Sequence, residues 1–75
     1  MHPHGLRHDI EHEGAAYGPS GLGAIASGDR RVYTWEAAPD SSPAAGELSS
    51  KVWLYHSHVD EDADVQAGTV GTIII

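Results

Sequence analysis

The chain of 75 residues contains no cysteine. This absence excludes a disulfide framework, a thiolate metal ligand and a cysteine nucleophile, so any metal must bind to nitrogen or oxygen. Basic residues are scarce too, with four Lys and Arg against eleven Asp and Glu, for a formal charge of −7. Because nucleic acid and anionic membranes repel such a chain, the composition predicts neither as a partner.

Long apolar runs are also missing, and no run approaches the roughly 20 residues that cross a bilayer. The first residues lack the basic and apolar regions of a signal peptide. The sequence therefore predicts no membrane contact, and these residues contain no recognisable targeting signal. A single domain of this length buries little surface, and it is marginally stable without a metal, a disulfide or a partner.

Histidine, by contrast, is present in a distinctive pattern. Four of the six histidines form two His-x-His pairs, His2-Pro3-His4 and His56-Ser57-His58. In an extended strand, residues i and i+2 point to the same side, so each pair directs two imidazoles to one place. Neutral imidazole nitrogen is a common ligand of transition metal ions. The spacing therefore predicts a metal site built from the two pairs.

The remaining pattern predicts β structure, because no segment shows sustained helical periodicity with caps. Alternation places the second histidine pair on the same strand face as Val52 and Leu54. Gly71 interrupts the last apolar stretch, where we expect a bulge or a close backbone approach. Four strands are predicted, at residues 2–6, 31–37, 51–59 and 69–75.

Three further interpretations concern residues outside the two pairs. Asp60 is predicted to cap one helical turn over 60–66, and the acidic run that it begins is interpreted as a solvated loop. His8 and His12 are interpreted as solvent histidines, because no helix is evident that would bring them together on zinc. The large aromatic side chains are interpreted as packing groups. They are Trp35, Trp53 and Tyr55.

Five stretches follow one another in a characteristic order: HPHG at 2–5, EGA at 13–15 followed by Tyr17, VYTWE at 32–36, WLYHSHVD at 53–60 and GTVG at 68–71. In this order they resemble the multicopper oxidases, and most of all their ceruloplasmin-type branch. The resemblance implies a cupredoxin-like Greek-key β-sandwich, which needs about seven or eight strands. About four strands over 1–75 therefore form an incomplete, plastocyanin-like domain, and we expect further strands and a signal peptide upstream.

The resemblance also implies a trinuclear copper centre to which this chain contributes half of the ligands. His2 would bind the type 2 copper, His4 and His56 one type 3 copper, and His58 the other type 3 copper. Asp60 is a candidate for hydrogen bonding around these ligands. A second cupredoxin domain, in cis or from a neighbouring subunit, would supply the other histidines and the cysteine of a type 1 copper site.

The implied function is four-electron reduction of O₂ to water, coupled to oxidation of a small reductant, as in ferroxidases and laccases. No catalytic residue is assigned on this chain alone, and the isolated 75 residues are not expected to be active. The full protein is expected to be extracellular or periplasmic, and a homotrimer is consistent with the family. Two alternatives remain open, a non-catalytic copper-binding or copper-buffering module and a fragment without function.

Overall fold

A computed structural model describes residues 1–15 and 23–75, so that Tyr17 lies outside the described residues. Three strands form one antiparallel sheet in the order β1-β2-β3: β1 His2–Pro3, β2 Val52–His56 and β3 Val70–Ile74. The helical elements are an α-helix, α1, at Glu61–Gln66 and two short 3₁₀ turns at Ile10–His12 and Pro39–Ser41. The described residues are thus organised around one small sheet with little α-helix, which is consistent with the predicted all-β class and with an incomplete cupredoxin-like fold.

Strands β2 and β3 are paired along their whole lengths, from Val52 opposite Ile74 to His56 opposite Val70. Both are rich in the β-branched and aromatic side chains that favour a pleated surface. Gly71 lies opposite Tyr55, and a Cβ atom at this glycine would overlap the tyrosine ring. The pairing register is regular there, so Gly71 provides a close approach rather than a bulge.

Strand β1 joins the two histidine motifs across the sheet. Its register places His2 opposite His56 and Pro3 opposite Tyr55. The backbone N–H of His4 then donates to the carbonyl of Leu54 at 2.8 Å. Proline has no N–H to donate to a neighbouring strand, and β1 is an edge strand, where proline is tolerated.

The prediction of a strand at 31–37 is wrong. The segment forms only an isolated bridge, in which Glu36 and Arg7 exchange backbone hydrogen bonds of 2.8 and 2.9 Å. Side chains anchor it instead, since the Tyr33 hydroxyl donates to the carbonyl of Gly23 and the indole N–H of Trp35 donates to the carbonyl of His12. High β propensity does not make a strand where no continuous neighbour is available for pairing.

The sheet has one half-buried face and one open face. Trp53, Tyr55 and Ile73 lie on the half-buried face. The opposite face is apolar and continues into His56, as the alternation predicts. Its side chains are nevertheless 42–69% exposed, because nothing among residues 1–15 and 23–75 packs over them. These open-face residues are Val52, Leu54, Val70 and Ile74.

The aromatic residues pack as predicted. The ring of Trp35 lies 5.8 Å from that of Tyr33 and 6.4 Å from that of Tyr55, measured between ring centroids. The ammonium group of Lys51 lies 4.9 Å from the Trp53 ring centroid, and the Trp53 indole N–H donates to the carbonyl of Ser41. These contacts pack the half-buried face of the sheet.

The predicted helical turn after the second histidine pair is confirmed as α1, with Asp60 at its N-cap position. The Asp60 side chain makes no capping hydrogen bond, and the acidic residues of the first turn face solvent or the second histidine motif. No helix in the described ranges is long and apolar enough to cross a membrane.

Candidate metal centre

The two histidine pairs meet at one end of the sheet. The His2 ring centroid lies 5.3 Å from that of His4, 5.7 Å from that of His56 and 5.0 Å from that of His58. The antiparallel register explains this convergence, because residues that face each other across two strands point to the same side of the sheet. All four histidines predicted as ligands therefore lie in one cluster, which we call the histidine cluster.

The shortest contact in the cluster joins two imidazoles from different motifs. The Nε2 atoms of His4 and His56 are 2.8 Å apart. Two metal–nitrogen bonds of about 2.0 Å that meet at a right angle span about 2.8 Å. The distance between the two Nε2 atoms thus equals the distance expected between adjacent ligand atoms of one metal ion.

Backbone carbonyls determine which nitrogen of each ring is available. The Nδ1 atoms of His2 and His56 donate to the carbonyls of Glu13 and Ser57 at 2.8 and 2.7 Å. A carbonyl only accepts, so each Nδ1 carries the proton and each Nε2 presents a lone pair. His4 must then donate from its Nε2 to His56, and a bound metal ion would replace that proton.

Two carboxylates contact the second histidine motif. Glu61 Oε1 lies 3.7 Å from His56 Nδ1, and the Ser57 hydroxyl donates to Asp64 Oδ2. Asp60 is exposed, and its backbone carbonyl accepts a hydrogen bond from the Asp64 N–H. Its role beside the ligands stays a prediction. Asp60, Glu61 and Asp64 belong to one acidic run in the sequence. The direction of α1 determines which of them reach the second histidine motif.

The interpretation of His8 and His12 as solvent histidines is wrong, because both are half-buried. The His8 ring lies 5.7 Å from that of His2, edge to face. His12 Nδ1 accepts a hydrogen bond from the Thr34 backbone N–H, and its Nε2 lies 3.8 Å from Asp9. Sequence spacing gave no signal for His8, since the bends after β1 bring it back toward the cluster.

Three known proteins are similar to the chain over essentially its whole length. It is 32% identical over 81 residues to ferroxidase HEPHL1 of Mus musculus and 32% identical over 80 residues to hephaestin of Mus musculus. It is 35% identical over 82 residues to ceruloplasmin of Homo sapiens. The chain is a relative of the multicopper oxidases. The matches cover 99–100% of the chain but only 7–8% of each relative's length.

No family model matches the sequence, and no solved structure matches it. The relatives confirm the resemblance to copper-dependent oxidoreductases of the ferroxidase type. They do not assign individual ligands, so the roles of His2, His4, His56 and His58 rest on the motifs and on the geometry above.

The surroundings of His2 favour its neutral form, chiefly through burial. Burial lowers the pKa of His2 below the ordinary value of 6.5. The hydrogen bond to the Glu13 carbonyl acts in the opposite direction, and the neighbouring His58 and His4 lower the pKa further. A neutral imidazole is the form that binds metal, so the lowered pKa extends to lower pH the range in which His2 can act as a ligand.

We expect the metal-free protein to lose stability as the pH falls below 6.5 toward the lowered pKa of His2. The unfolded chain binds this proton first, so protonation favours unfolding over that interval, whereas at higher pH the contribution is fully present. Thermal unfolding at about pH 7.5 and about pH 5.5 measures the effect. A His2→Asn variant should show a smaller loss, and an equal loss in both proteins would contradict the assignment to His2.

Proposed function

We propose that this chain supplies half of the ligands of a trinuclear copper centre in a multicopper oxidase. The observation that carries the proposal is the 2.8 Å separation of His4 Nε2 and His56 Nε2, within a cluster that also contains His2 and His58. The two nitrogens come from motifs more than fifty residues apart. Chance surface histidines have no reason to converge in this way.

The proposed ligand roles follow the motifs and are supported by the contacts. His4 and His56 serve one type 3 copper, because their Nε2 atoms already lie at the separation of adjacent ligands. His58 serves the second type 3 copper, and its ring stacks 6.0 Å from that of His56. His2 serves the type 2 copper, with its Nδ1 held by the Glu13 carbonyl.

The donor set fits copper, because neutral imidazoles are good ligands for it and the chain offers no thiolate. When bound, the copper ions supply the electron-transfer chemistry by which O₂ takes up four electrons and four protons and yields two water molecules. The chain's own residues hold and orient the ligands. The carbonyls of Glu13 and Ser57 fix two rings, and the Ser57–Asp64 hydrogen bond attaches the second motif to α1.

The proposed partners are a second cupredoxin domain, O₂ and a small reductant. The second domain, in cis or from a neighbouring subunit, would complete the centre with further histidines and a type 1 copper, and a trimer would place such centres at subunit interfaces. Iron(II) is one candidate reductant, because one of the relatives is named a ferroxidase. Further strands would cover the open apolar face of the sheet, and we expect the full protein to be exported.

A non-catalytic copper-binding module is the second candidate function. The observation that favours it is the absence of cysteine, because a type 1 copper site requires one. The two candidates differ in whether copper bound at the histidine cluster turns over with O₂.

Oxygen consumption by the copper-loaded full-length protein separates the two functions. We expect one O₂ to be consumed for every four electrons donated by iron(II) or a phenol, without release of peroxide, and no consumption by the metal-free protein. The copper content of the same samples is measured in parallel. Stoichiometric copper at the histidine cluster without O₂ consumption would contradict the oxidase and support the copper-binding module.

A further inference from the structure

His8, which belongs to neither histidine pair, lies where it can share a metal ion with His2. One potential ligand atom from each of His2, His8 and Glu13 lies within 4.8 Å of the other two. All three residues are half-buried, so the group is not a set of freely rotating surface side chains. Two imidazoles and one carboxylate are a donor set that divalent transition metal ions accept, with positions left open for water.

The hydrogen bonds of both rings prepare them as ligands. His8 Nδ1 lies 3.1 Å from the carbonyl of Leu6, and His2 Nδ1 lies 2.8 Å from the carbonyl of Glu13. Each Nδ1 therefore carries a proton, and each Nε2 retains a lone pair. A metal-binding histidine commonly donates its other N–H to a backbone carbonyl, because that bond fixes the tautomer and the orientation of the ring.

The dimensions are compatible with one ion after a small adjustment. Ligand atoms at about 2.0–2.2 Å from an ion lie roughly 3 Å apart when adjacent and about 4 Å apart when opposite. The 4.8 Å spread thus closes by about 1 Å if the most widely spaced pair binds at opposite positions, and by about 2 Å if that pair is adjacent. A surface cleft of about 430 Å³, lined by His8, Asp9 and His12 among others, gives an ion in solution access to His8.

We propose that His2, His8 and Glu13 form a mononuclear site for a divalent transition metal ion, and that the first ion to enter the metal-free protein binds there. The site shares His2 with the proposed type 2 copper position but uses neither His4 nor His56. Because all three of its protein ligands belong to this chain, it does not require the second cupredoxin domain. His2 is then occupied by metal before the trinuclear centre is complete.

The test is a titration of the metal-free full-length protein with Co²⁺, monitored by the visible absorption of the bound ion. We expect His8→Ala to weaken binding of the first equivalent by at least about 100-fold, because even the loss of a residue that only supports a ligand costs 10–100-fold. Glu13→Gln should weaken it in the same direction. His12→Ala is the matched control, a half-buried histidine that lines the same cleft, and it should bind the first equivalent like the wild type.

A His8→Ala variant that binds the first Co²⁺ as tightly as the wild type would overturn the proposal. Far-ultraviolet circular dichroism of each metal-free variant shows whether it is folded, and His8→Asn replaces His8→Ala if the latter is not. His56→Ala separates this site from the proposed function. It should still bind the first equivalent while losing O₂ consumption, and loss of the first equivalent in this variant would also count against the proposal.

Discussion

Replacement of His56 by glutamine is expected to lower copper binding at the histidine cluster, and O₂ consumption with it, by more than about 100-fold in the full-length protein. His56 is the most buried of the four candidate ligands, with 8% of its surface exposed. Its Nε2 faces His4 Nε2, and its Nδ1 is held by the Ser57 carbonyl.

The matched control for this variant is His12→Asn. His12 is also a half-buried histidine, and its Nδ1 accepts a hydrogen bond from the Thr34 backbone N–H, but it does not belong to the histidine cluster. Copper content and O₂ uptake of the control should remain within about twofold of the wild type, because the lost hydrogen bond contributes only about 1 kcal/mol to stability. An active, fully copper-loaded His56→Gln protein would contradict the proposed type 3 site.

Substitution of Gly5 by alanine is expected to destabilise this domain by about 2–4 kcal/mol. Gly5 has a φ angle of +69°, a backbone conformation that side chains disfavour, and a Cβ atom there would overlap the Trp53 indole. The Trp53 ring cannot easily move away, because its N–H donates to Ser41, whose hydroxyl donates back to the Gly5 carbonyl. Denaturant unfolding of the wild-type and variant proteins measures the loss.

Gly46→Ala separates the two causes of this effect. Gly46 also has a positive φ, +89°, but a Cβ atom there meets no atom within 4 Å. This control should lose only the conformational contribution of about 1–2 kcal/mol. Equal losses in the two variants would show that contact with Trp53 contributes nothing. Because Gly5 follows His4, Gly5→Ala should also lower copper content, whereas Gly46→Ala should not.

Local patterns in the sequence predicted strands where pairing partners were available. The alternation at 51–59 and the β-branched run at 69–75 became β2 and β3, because each had the other as a neighbour. The segment 31–37 has equal strand propensity, yet it forms a single bridge to Arg7. Strand formation depends on a neighbour that is distant in sequence, and propensity does not report whether that neighbour exists.

For the candidate site, spacing was informative within each motif and uninformative between motifs. The i, i+2 rule predicted that His2 would accompany His4 and that His56 would accompany His58. His8 lies six residues beyond His2, and no periodicity of a strand or helix relates the two. Its position depends on the bends that follow β1, which are held by contacts such as that between Gly5 and Trp53.

The sequence by itself determined the β character of the chain, the two histidine pairs, the lack of any thiolate ligand and the resemblance to multicopper oxidases, because each depends on residue type and short spacing. Only the tertiary structure decided that His4 and His56 approach to 2.8 Å, that Glu61 and Asp64 contact the second motif, and that His8 reaches His2. These contacts depend on strand register and on the direction of loops and helices. Both are set by packing between segments far apart in the chain.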